Sequence, residues 1–123
     1  DGIRDSVASR GLGDVYKRQA MRIEVHTSRP VLGNVTGGLS GMGLRPISIA
    51  LVYQVAKQVD APIIGVGGIF SGEHAAEYIL AGASAVQVGS ANLVGLSAPW
   101  RILSELENWV RQSGVSKFQT LVN

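Results

Sequence analysis

The 123-residue chain contains no cysteine. It therefore carries no disulfide framework, no thiolate metal site and no cysteine nucleophile. It is also poor in charge: 16% of residues are charged and the net charge is +2, too small a surplus to point to nucleic acid as a partner. No apolar run is long enough to span a membrane, and no signal-peptide pattern opens the chain. With 46% hydrophobic residues the composition is that of a globular chain, not a disordered one. What remains is a soluble, cytoplasmic protein of single-domain length.

Residues 1–19, DGIRDSVASRGLGDVYKRQ, have neither helical nor strand periodicity and precede a sharp change in character. Read back into DNA, TAT-AAG-AGA-CAG encodes Tyr16, Lys17, Arg18 and Gln19, and the same string shifted by one base begins Ile3, Arg4, Asp5 and Ser6. This repeat in two frames resembles a transposon-end sequencing adapter; the other reading is a natural polar tail. The expectation is a non-native, disordered segment over 1–19, with 20–123 belonging to a protein that continued further upstream.

From Ala20 the pattern becomes ordered. Ile23, Val25, Val31 and Leu32 around Ser28, Arg29 and Pro30 predict a hairpin, and TGGLSGMG a glycine-rich loop. Pro46 suits a helical first turn, and Ile49, Val52, Val55, Ala56 and Val59 follow at helical spacing until Asp60 and Pro62. PIIGVG and SAVQVG are short apolar runs of the kind found in parallel strands, placing Ile63, Ile64 and Val86 in the core. Between them Ser71 can cap a helix, with Glu73 at its positive end. Ser97 and Pro99 open a last helix that carries Ile102, Leu103, Leu106, Trp109 and Val110 on one face and ends at Gly114. Alternating helix and strand with short connections imply parallel strands and right-handed crossovers. Two such strands cannot cover their own faces, so the chain reads as α/β, the tail of a larger sheet that is either doubly wound or a (β/α)8 barrel. Glycine at the C-terminal end of both strands tips the reading to the C-terminal portion of a barrel, the last two to three βα units after a hairpin.

Glycine ends both apolar runs. Gly67 and Gly68 close the first, and Gly89 and Ser90 the second, one strand–helix–strand unit later. Parallel strands bring these two turns side by side at one end of the sheet. Backbone N–H groups that converge there can hold a phosphate, with glycine allowing close approach and Ser90 adding a hydroxyl.

TGGLSG, RPISIALVYQVAKQVD and APIIGVGGIFSGEHAAEYILAGASAVQVGSAN together resemble the dihydroorotate dehydrogenase family over residues 21–123, in its NAD-linked class. The resemblance implies FMN as cofactor. Ser40 and Gly41 would touch it through the backbone, and Gly67, Gly68, Gly89 and Ser90 would cradle its phosphate. Three positions depart from the family's pattern: Ser90 where Thr is usual, Met42 where Pro is common, and Arg45 where Lys is common. The resemblance further implies oxidation of dihydroorotate to orotate in pyrimidine synthesis, a homodimer, and an FAD and iron–sulfur partner subunit. The family's catalytic cysteine, flavin-supporting lysine and substrate-binding asparagines belong upstream, so no catalytic residue is assigned here. The alternatives are another phosphate- or flavin-binding barrel and a stand-alone phosphate-binding α/β module.

His26 and His74 read as surface or packing residues with no metal role, and Trp109 as core. Glu105, Glu107 and Arg111 read as a solvated helix face, the last two at i,i+4 spacing. Gln87 is a polar residue in a strand that could face a barrel interior.

Overall fold

A computed structural model describes residues 19–114. The suspected foreign segment therefore lies outside the described residues, Gln19 excepted. The chain divides into two compact units, Asp1–Leu39 and Ser40–Asn123.

In the first unit, β1 (Gln19–Ala20) pairs antiparallel with β4 (Gly37–Gly38), and β2 (Ile23–Glu24) with β3 (Arg29–Pro30). The predicted hairpin is present, but its turn comes earlier than expected. Residues 25–28 turn, with Ser28 at φ 53°, while Arg29 and Pro30 form the returning strand. Pro30 fits there because this strand is short and exposed, where a missing ladder donor costs little. Gly37 and Gly38, expected in a loop, pair instead with Ala20 and Gln19. Gln19 is thus tied to this unit through that register and through a bond of 3.3 Å from Thr36 Oγ1.

The second unit begins with a 3-10 turn (Met42–Leu44) leading into α1 (Arg45–Ala56), with Pro46 in its first turn. The helix stops short of Asp60. Lys57, Gln58 and Val59 donate back to the carbonyls of Tyr53 and Val55 in a tightened final turn, which leaves Val59 exposed. Then follow β5 (Ile64–Val66), α2 (Gly72–Leu80), β6 (Ala85–Gln87), a single-turn α3 (Ala91–Val94) and α4 (Ala98–Ser113). Ser71 caps α2 by accepting from the His74 N–H, and Gly114 ends α4 in the left-handed conformation at φ 64°. Among the described residues no helix is long and apolar enough to cross a membrane.

β5 and β6 are parallel, pairing Ile64 with Ala85, Gly65 with Val86 and Val66 with Gln87. Side chains alternate across a strand, so Gly65 and Val86 share one face and Ile64, Val66, Ala85 and Gln87 the other. The first face meets the helices: a Cβ on Gly65 would fall 2.5 Å from the Tyr78 ring. The second is open, with Ile64 65% exposed. Ile64 is therefore not part of the core, contrary to expectation, and Gln87 lies on the uncovered face. The core sits between sheet and helices and consists mainly of small residues: Ala75, Ala81, Ala83, Ala91 and Ala98 around Val52, Ile69, Ile102 and the fully buried Tyr78. Small side chains let α2 and α4 approach closely, and Gly72 fits directly against the backbone of Glu105 and Leu106.

Candidate functional site

The pairing of Val66 with Gln87 carries the chain out of both strands level with one another, about 4.8 Å apart. Both glycine turns consequently emerge at the same end of the sheet, as their spacing predicts. In the first, Gly67 has φ 129° and Gly68 φ 64°. The turn is tightly packed. A Cβ on Gly68 would fall 2.6 Å from the Gly41 carbonyl oxygen and 3.0 Å from Arg45 Cβ, and one on Gly67 would fall 2.6 Å from Ser48 Oγ. The SG of GGLSG thus reaches the double glycine through Gly41, itself at φ 85°, whereas Ser40 is exposed.

The second turn differs. Gly89 has nothing within 4 Å of where a Cβ would stand, and Ser90 has φ −56° as it enters α3. The N–H groups of Gly68, Gly89 and Ser90 donate to no acceptor among the described residues. Unspent main-chain donors, with open space at Gly89, fit the chemistry of an anion cradle. A phosphate would meet amide hydrogens there, while the Ser90 hydroxyl, which caps nothing in α3, stands beside them.

Several supporting residues were not legible in the sequence. Tyr78 donates its hydroxyl to the Gly67 carbonyl at 2.6 Å and so fixes the double-glycine turn from beneath. Ser48 is buried under Gly67. Arg45, at the start of α1 beside Gly68, pairs with Glu77 of α2 at 3.0 Å. Glu105 is not merely a solvated residue: its Oε2 accepts the Gly72 N–H at 2.8 Å and its Oε1 accepts Arg101 Nη1 at 2.8 Å. The Gly72 N–H, then Arg101, hold its carboxyl below the ordinary value. Nothing but proximity of two distant segments could reveal that contact. Glu107 and Arg111 do lie at i,i+4, at 3.9 Å on the exposed face.

His74 accepts the Phe70 N–H at Nδ1, 3.2 Å away, so its proton sits on Nε2. Burial first, and then the Arg45 charge, hold its pKa below the ordinary value against Glu77, Glu73 and Glu105. His26 is an exposed turn residue whose backbone N–H donates to Glu24. Trp109 is half-buried on α4, and Trp100 is exposed. Beside the site, a cleft of about 190 Å³ opens between Phe70 and the start of α4, walled by Ala91, Val94, Ser97 and Arg101.

The sequence pattern described as dihydroorotate dehydrogenase matches residues 9–110. Over 102 residues the chain is 47% identical to the dihydroorotate dehydrogenase B (NAD(+)), catalytic subunit, of Geobacter metallireducens, covering 83% of this chain and 33% of that protein. The protein of the same description from Alkaliphilus metalliredigens is 43% identical over 111 residues, or 90% of this chain and 37% of that one. The chain thus spans about a third of the length of the curated relatives it matches. In solved structures, the ligand-free DHODH of Eimeria tenella superimposes with a TM-score of 0.65 at 32% identity, covering 84% of this chain and 30% of that one. The same enzyme in complex with ferulenol gives a TM-score of 0.62 at 34% identity, with 77% and 26% covered. The parallel βαβ unit with helices on one face only is accordingly part of a (β/α)8 barrel. By its sequence pattern, its relatives and its fold, the chain belongs to the dihydroorotate dehydrogenase family.

Proposed function

We propose that this chain holds the phosphate end of FMN in a dihydroorotate dehydrogenase subunit that oxidises dihydroorotate to orotate in pyrimidine synthesis. The observation that carries the reading is the set of unspent N–H donors of Gly68, Gly89 and Ser90 at one end of the parallel pair, with open space at Gly89. The donor set fits a phosphate, and the Gly41 carbonyl lies against Gly68, with Ser40 next to it in the chain. When bound, FMN supplies the hydride acceptor. The chain's own residues bind and orient: Gly68, Gly89 and Ser90 meet the phosphate, and Tyr78 and Ser48 hold the double-glycine turn in shape. With no cysteine in the chain, the catalytic base of this class is supplied from elsewhere in the subunit. Residues 1–19 are read as adapter-derived and outside the function. The subunit is read as a cytoplasmic homodimer with an FAD and iron–sulfur partner; the relatives' description as catalytic subunits supports a partner subunit.

The test is a hybrid in which this chain's matching residues replace the corresponding third of the Geobacter metallireducens protein. The hybrid is expected to purify with FMN and to oxidise dihydroorotate, whereas the 123-residue chain alone, supplied with FMN, turns over nothing. Losing a catalytic base alone slows a reaction by roughly a hundred- to ten-thousand-fold. A folded hybrid devoid of flavin, or turnover by the chain alone, would overturn the proposal.

A further inference from the structure

The two glycines at 67 and 68 have no side chains with which to hold their own peptide planes, so the turn has to be pinned from both sides. Upstream, the Tyr78 hydroxyl takes the Gly67 carbonyl. Downstream, the main chain of Phe70 is held by side chains at both its polar groups. Its N–H donates to His74 Nδ1 at 3.2 Å, and its carbonyl accepts from Arg101 Nη2 at 3.2 Å. Arg101 in turn donates through Nη1 to Glu105 Oε1 at 2.8 Å, and Glu105 Oε2 accepts the Gly72 N–H at 2.8 Å. A Cβ on Gly72 would fall 2.6 Å from Glu105 Cβ, so only glycine lets the segment lie this close to α4. Two helices thereby grip residues 70–72 with three hydrogen bonds, and a fourth ties Arg101 to Glu105. The apolar contacts of Ile69, Ala75 and Ile102 already pack the same region without them.

We infer that His74, Arg101 and Glu105 are positioning residues that clasp residues 70–72 and keep the Gly68 N–H aimed at the flavin phosphate. The inference rests on the phosphate-cradle reading above. His74 serves only while Nδ1 is unprotonated, because an imidazolium has no lone pair left to accept the Phe70 N–H. The charged groups facing it are Arg45 from α1, Glu73 and Glu77 from α2, and Glu105 from α4.

The experiment titrates FMN into the full 123-residue chain and follows the amide resonances of Gly68, Gly89 and Ser90. Melting temperatures of the ligand-free proteins are measured alongside. In the unsubstituted chain FMN shifts all three amides. His74→Ala and Glu105→Ala are expected to weaken FMN about tenfold with only a small drop in melting temperature, the scale of one hydrogen bond that serves a charged group. His74→Asn, whose Oδ1 can accept from Phe70, restores binding. If FMN leaves the three amides of the unsubstituted chain unmoved, the cradle reading falls and the clasp with it. Should those amides respond while the Ala variants bind FMN normally, or weaken only in step with melting and without rescue by Asn, the clasp alone is overturned.

Discussion

The two glycine turns of the site look alike in sequence and differ in what they need glycine for. The turn at Gly67 and Gly68 is closed by the protein itself: positive φ at both residues, with Ser48, Leu44, Arg45 and the Gly41 carbonyl crowding the places where side chains would go. The turn at Gly89 and Ser90 has ordinary backbone angles and empty space at Gly89. The double glycine is a requirement of folding, and the glycine–serine turn leaves room for something to approach. A glycine motif read as a single phosphate signature therefore merges two physical causes, which substitution can separate.

The largest effect is expected at Gly68→Val. A β-branched residue at φ 64° costs about 1–3 kcal/mol in backbone strain, and the clash with the Gly41 carbonyl adds about 1–3 kcal/mol of overpacking. Against a total stability of about 5–15 kcal/mol, denaturant unfolding should shift strongly to lower concentration. A variant as stable as the parent would erase the difference between the turns. Tyr78→Phe comes next. It leaves the Gly67 carbonyl without that bond in a half-buried place, worth about 1–3 kcal/mol, and should be read as a lowered unfolding midpoint.

Acid should act more mildly, through His74. Its pKa in the folded chain is lowered, so the neutral imidazole's contribution is fully present above the ordinary histidine value and is lost as pH falls from there through the folded value. Stability measured over that window should decline, and His74→Asn should flatten the decline. A variant that keeps the parent's slope would assign it to other groups.

The smallest effect on stability is expected at Gly89→Val, within about 0.5 kcal/mol, because its side chain would enter open space at an ordinary φ. Yet in the hybrid this variant should purify without FMN, while Ser90→Ala should weaken FMN by only about 1 kcal/mol for one hydroxyl bond. Full flavin occupancy in the Gly89→Val hybrid would show that the second turn is open for a reason other than phosphate.

Much of this architecture was legible residue by residue. Ser71 as a cap, Pro46 in a first turn, Gly114 at a helix end and the order strand, helix, strand all follow from rules that act within a few positions, and the structure has them. The neighbouring glycine turns followed as well, since parallel pairing through one helix brings both strand ends together. The hairpin's turn was displaced because Pro30 is tolerated in an exposed strand as readily as in a turn. The chain by itself therefore determined its elements, their order and the end of the sheet where both glycine turns emerge, since those depend on local propensity and on period. Only the tertiary structure decided that Gly65 and not Ile64 faces the helices. It alone seats Tyr78 beneath Gly67, 11 residues away, and brings Glu105 to Gly72, 33 residues away. Such contacts depend on which faces meet when helices pack on a sheet, and no spacing along the chain encodes that meeting.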